Sequence, residues 1–208
     1  MSTNKVNDND LLKEGKHNYL NEHFKDLDLS GKEIIFKVFE NCIFLGCNFC
    51  ETIFNKCKFY ECTFTRCNLS VAKVTNCSFF DTVFDESKVI GINWTTAAWS
   101  RLKLSSPISF NKCVLNDSSF IGLCLKEIAI VECKAHDVDF READCEKANF
   151  TYTDFTHSLF NKTNLSEADF TEATNYQINL FHNETKKAKF TMPEATNLLR
   201  CLDIEIVD

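Results

Sequence analysis

The chain has 208 residues, which suits one domain or at most two small ones, and its formal net charge of −7, 44% apolar residues and 25% charged residues are those of a soluble globular protein and exclude wholesale disorder. No apolar run approaches the ~20 residues of a membrane span. Met1 to Asp10 carries no apolar signal-peptide core, so a cytoplasmic location is the expectation.

Two counts call for explanation, 20 Phe and 12 Cys against only 5 Gly and 2 Pro. Residues 1–21 show no periodicity and read as an N-terminal tail or cap. From Phe24 an apolar residue then recurs at every fifth position: Leu29, Ile34, Phe39, Phe44, Phe49, Phe54, Phe59, Phe64, Leu69, Val74, Phe79, Phe84, Val89, Trp94, Trp99 and Leu104. A period of five fits neither a helix nor a flat strand. It fits a coil in which each unit forms one side and then turns a corner. Two residues before each of these large positions stands a small one, including Cys42, Cys47, Thr52, Cys57, Cys62, Cys67, Ala72 and Cys77. That position also points inward, with little room. Gly31, Gly46, Gly91 and Gly122 fall two residues after a large position, at the corner, where a turn can require φ > 0.

The register breaks once, at Ser105-Ser106-Pro107-Ile108-Ser109, where one extra residue and a proline predict a bulge. It resumes at Phe110, Leu115, Phe120, Leu125, Ile130, Ala135, Phe140, Cys145, Phe150, Phe155, Phe160, Leu165 and Phe170. In all, 30 units hold 16 of the 20 Phe, where an even spread would put about four. After the repeat, residues 176–208 read as a C-terminal cap. Pro193 and Glu194 suit a helix start, so a helix is expected over about 192–202. Leu198, Leu199 and Leu202 are spaced to cover the open end of the coil. A terminal strand, Ile204 to Val207, follows.

Stretches such as Ala148-Asn149-Phe150-Thr151 and Ala168-Asp169-Phe170-Thr171 resemble the pentapeptide repeat family. The resemblance implies an all-β, right-handed quadrilateral β-helix with four units per coil, spanning residues 22–175 in about seven to eight coils and closed by the C-terminal capping helix. Residues twenty apart then stack in columns, so Phe44, Phe64 and Phe84 form one ladder and Phe39, Phe59 and Phe79 another. Cys42/Cys62, Cys47/Cys67, Cys57/Cys77 and Cys113/Cys133 also become neighbours at ~4.8 Å, inside the disulfide range. Ala, Ser and Thr fill the same position elsewhere, and buried free thiols are the expectation. Cys47 and Cys50 should point in and out, so no zinc site is expected there.

His136 and His157 lie on the exterior, and no Ser-His-Asp order or phosphate-cradling loop is present. No enzyme, cofactor or metal is therefore expected. Charge is more informative. Lys37 to Leu104 carries 6 acids and 8 bases, whereas Phe110 to Asn175 carries 12 acids and 6 bases. The candidate acidic surface comprises Asp137, Asp139, Glu142, Asp144, Glu146, Glu167, Asp169 and Glu172. Val38, Tyr60, Phe80, Ile121 and Leu159 form a candidate outward apolar stripe on one side, provided the slip keeps the four sides in order. The family resemblance implies a protein–protein interaction scaffold: an acidic DNA mimic that binds a type II topoisomerase, DNA gyrase or topoisomerase IV, and protects it from quinolones or toxins. It also implies a homodimer through the C-terminal cap. Direct nucleic-acid binding and membrane association are not expected. The alternative is a structural adaptor for an unrelated protein.

Overall fold

The computed structural model describes residues 15–99, 107–202 and 204. The chain winds into a right-handed quadrilateral β-helix of about eight turns. Parallel strands one coil apart pair in register, and these pairs build the sides. On the first side, Asn18–Leu20, Val38–Glu40, Lys58–Tyr60 and Ser78–Phe80 pair so that Tyr19, Phe39, Phe59 and Phe79 share a column. The coil thus begins at Asn18, ahead of the first Phe. The second side runs through His23–Lys25, Ile43–Leu45, Thr63–Thr65, Thr82–Asp85, Ile108–Asn111 and Ile130–Val131. The third is a row of single bridges from Asp28 through Asn48, Asn68, Lys88, Val114, Lys134 and Asp154 to Thr174. Glu33–Ile35, Ile53–Asn55 and Lys73–Thr75 begin the fourth side, which continues through Asn93, Ser119, Asp139 and Leu159.

The interior is the aromatic ladder that the periodicity predicts. Phe44 and Phe64 stack at 4.4 Å with their planes 8° apart, and Phe64 stacks on Phe84 at 5.0 Å. Neighbouring columns meet edge to face, as with Phe59 and Phe64 at 5.6 Å and 64°. Both are preferred arrangements of the ring quadrupole, and each buried Phe contributes roughly 1.5–3 kcal/mol. Phe39, Phe44, Phe49, Phe54, Phe59, Phe64, Phe84, Phe110, Phe120, Phe140, Phe150, Phe155, Phe160 and Phe170 are all buried. Phe79 is the exception and is only half-buried. The column beyond it passes to Trp99, whose indole N–H donates to the Trp94 carbonyl at 2.7 Å.

Among the described residues most corners are turned by a residue in the left-handed region, and mostly not by glycine: Asn41 has φ 50°, Glu61 51°, Val71 58° and Glu132 53°, whereas the corner after Trp94 is a short 3₁₀ turn, Trp94–Thr96. A left-handed residue costs roughly 1–2 kcal/mol for a non-glycine side chain. The ladder offsets this, because the corner N–H reaches the next coil, as Asn41 N–H does to the Tyr60 carbonyl at 2.9 Å.

The small inward position is more than a space filler. At some corners its N–H bonds back three residues, as Ala143 does to Phe140. At others the N–H would be orphaned, and a side chain one coil on accepts it: Ser87 Oγ from Cys67 at 2.9 Å, Cys133 Sγ from Cys113 at 3.2 Å, and Thr153 Oγ1 from Cys133 at 3.2 Å. The same groups donate their own protons to carbonyls, as Cys62 does to Phe39 and Thr153 to Ile130. All twelve cysteines are free thiols. Cys47 points in and is buried, whereas Cys50 is half-exposed.

The interruption is larger than one residue. Phe84 pairs with Phe110, Lys88 with Val114 and Asn93 with Ser119. Each step is 26 residues where the coils before and after take 20, so the coil holds six extra residues between Trp99 and Pro107. Leu104 and most of the predicted bulge lie outside the described residues. The helix expected at the cap is present as a 3₁₀ helix, Glu194–Leu202. Leu198 is buried, while Leu199 and Leu202 face outward. The predicted terminal strand lies outside the described residues apart from Ile204, which is exposed. Among the described residues no helix is long and apolar enough to cross a membrane.

Candidate interaction surfaces

The eight acids read as one surface do not form one. Asp137 lies on the third side, Asp139 and Glu142 on the fourth, Asp144, Glu146 and Glu167 on the first, and Asp169 and Glu172 on the second. The physical reason is the motif itself. An Asp or Asn just before the large inward residue accepts the N–H two residues on, closing an Asx turn at each side. Asp139 takes the Arg141 N–H at 3.0 Å, Asp144 the Glu146 N–H at 3.3 Å and Asp169 the Thr171 N–H at 2.9 Å. Asn149 and Asn164 serve Thr151 and Ser166 in the same way.

Bases then offset much of what remains. Arg141 grips Asp139 with two bonds of 2.9 and 2.7 Å. Lys126 lies 2.5 Å from Glu146 and 3.4 Å from Asp144, and its ammonium holds the Glu146 carboxyl below the usual range. Lys189 meets Asp169 at 3.0 Å, Lys187 meets Glu167 at 4.0 Å and His157 meets Asp137 at 3.7 Å. Asp154, which the sequence did not single out, is the most perturbed carboxyl. Burial alone would raise it, but hydrogen bonds from Asn175, Thr156 and His136 overrule burial and hold it at about 2.

The apolar stripe also divides. Val38, Tyr60 and Phe80 share the first side as expected, but Ile121 and Leu159 stand on the fourth. The six extra residues of the interrupted coil, in place of one, set every later unit one side back from the simple count. Phe80, Ile121 and Leu159 are all exposed. The fourth side was missed for the same reason; stepping by 26 at the interruption recovers it from the sequence.

Among the described residues no group of three His, Cys, Asp or Glu side chains could hold a metal. His136 pairs with Asp154 at 2.8 Å on the third side. A shallow cleft of about 300 Å³ lies beside the cap, lined by Tyr176, Gln177, Ile178, Asn197, Arg200 and Cys201.

The family model described as "Pentapeptide repeat region" matches residues 37–106 and 94–170. No curated protein matches the chain. Among solved structures, QnrB1 in a trypsin-treated form, a plasmid-mediated fluoroquinolone resistance protein, has a TM-score of 0.62 at 18% identity and covers 91% of this chain and 90% of its own. HetL from the cyanobacterium Nostoc sp. strain PCC 7120, involved in heterocyst differentiation regulation, has a TM-score of 0.64 at 16% identity over 88% of this chain and 92% of its own. At such identities both likenesses are of fold.

Proposed function

The chain belongs to the pentapeptide repeat family, and from that premise we propose that it is a non-enzymatic scaffold that binds another protein. One observation carries this reading. The sides are rigid, flat lattices whose backbone groups pair from coil to coil, so outward side chains stand at fixed ~4.8 Å intervals. Such a surface suits docking of a large partner.

The named candidate is a type II topoisomerase, DNA gyrase or topoisomerase IV. Two things support it: the shared fold with QnrB1, itself a fluoroquinolone resistance protein, and the acid excess of the C-terminal half. A supercoiling assay with ciprofloxacin, with and without the purified protein, tests it. Restored supercoiling at micromolar protein is the expected result, and unchanged drug inhibition would sink the topoisomerase candidate. A second reading, an adaptor for an unrelated protein, is favoured by the Asx turns and ion pairs that absorb most of the acids. A homodimer through the outward Leu199 and Leu202 of the cap, and a cytoplasmic location, go with either reading.

A further inference from the structure

The fourth side differs in charge from the other three. Its five bases, Lys32, Lys56, Lys73, Arg141 and Lys162, outnumber three acids, Glu33, Asp139 and Glu142, a net of +2. Among the described residues, the first side has six bases and eight acids, the second four and seven, and the third two and five. A positive strip therefore runs along a molecule of net charge −7.

The same side carries exposed apolar residues along its length: Ile35, Ile121, Leu159 and Phe181, with Val71 and Phe36 at its corners. Val71 is 55% and Phe181 71% exposed. The Lys56 ammonium sits 5.1 Å from the centre of the Phe36 ring, a cation held on an apolar surface. Val71 and Phe36 hold left-handed corners that asparagine or glycine would take with less strain.

We propose that the fourth side is the docking surface for a protein partner whose matching surface is acidic and carries its own apolar groups. Charge complementarity orients such a partner on the one positive strip and turns it from the three negative sides. The apolar side chains then supply contact area that is removed from water. A lipid surface or a duplex fits less well. Those take uninterrupted clusters of about 4–8 bases, whereas here Glu33, Asp139 and Glu142 lie among the lysines.

The proposal deepens the scaffold reading and does not depend on the topoisomerase candidate. The face is tested by peptide binding and the candidate by supercoiling, so either can fail alone. The probe is a fluorescein-labelled peptide of Glu-Glu-Leu repeats, read by fluorescence anisotropy on the full chain. It should bind, and Lys73→Glu with Lys162→Glu should weaken binding at least ~tenfold. Ile121→Asp with Leu159→Asp should do the same with the charges intact. Lys88→Glu with Lys134→Glu, on the third side, should leave binding unchanged, and all three variants should melt within a few degrees of the parent. No binding to the parent, an equal loss in the third-side variant, or stronger binding to a Lys-Lys-Leu peptide, duplex DNA or phosphatidylserine vesicles would overturn the proposal.

Discussion

At Cys133 the sulfur accepts the Cys113 N–H at 3.2 Å and donates to the Val131 carbonyl at 3.1 Å, while Thr153 Oγ1 takes the N–H of Cys133 itself. A thiol here does the work of a hydroxyl, which is why Cys, Ser and Thr trade places along the inward column of the third side. Burial opposes ionisation of the inward thiols, as at Cys145, whose surroundings alone push it up. Cys133→Ala leaves the buried Cys113 N–H without a partner and should cost about 1–3 kcal/mol, whereas Cys133→Ser should stay within ~1 kcal/mol of the parent. Urea denaturation measures both, and equal losses would mean that the thiol only fills space. The sequence makes the inward, small character of this position legible. It hides the hydrogen bond, because the N–H to be satisfied sits twenty residues away and only the coil brings it near.

The coil that holds the six extra residues is the element where sequence and structure differ most. Inside and outside are local properties of a five-residue unit, so the large inward residues could be read directly. Assigning a unit to its side from the sequence means counting every residue before it, and a miscount at the interruption placed Ile121 and Leu159 on the side of Tyr60 and Phe80, whereas they stand on the fourth. The packing itself does not lapse there. Phe84 stacks on Phe110 at 5.2 Å and Trp94 on Phe120 at 5.9 Å, so the two halves share one aromatic core. Repeat proteins melt as units only where neighbour interfaces are strong. Trp94 and Trp99 are the only two tryptophans and both lie at the junction, so their fluorescence reports this coil while far-UV circular dichroism reports the whole rod. The two probes should give coincident denaturation midpoints; an earlier fluorescence transition would show the junction yielding first.

As a whole the molecule is a rod with one positive side, three negative sides and an apolar end. The acid excess of its C-terminal half was legible as a count. Its distribution was not, because Asp139, Asp144 and Asp169 answer to the turns they close as much as to any partner. At the C-terminal end Leu198 turns inward to cover the last coil, while Leu199 and Leu202 face out at 36% and 41% exposure beside the exposed Ile204. If these leucines join two rods, light scattering should give twice the chain mass for the parent and the single mass for a Leu199→Glu, Leu202→Glu variant. A parent that already scatters as one chain would remove the dimer.

The in-register pairing of Phe84 with Phe110 and Asn93 with Ser119 means that six extra residues between Trp99 and Pro107 are absorbed without breaking the alignment of the coils before and after them. Elsewhere in the rod, one added residue would exchange inside for outside, and five would carry everything downstream through a quarter turn. At this joint, six residues are added and the four faces keep their alignment. It is therefore the place to splice a guest peptide or an affinity tag into the rod, with the faces on either side of it left as they are.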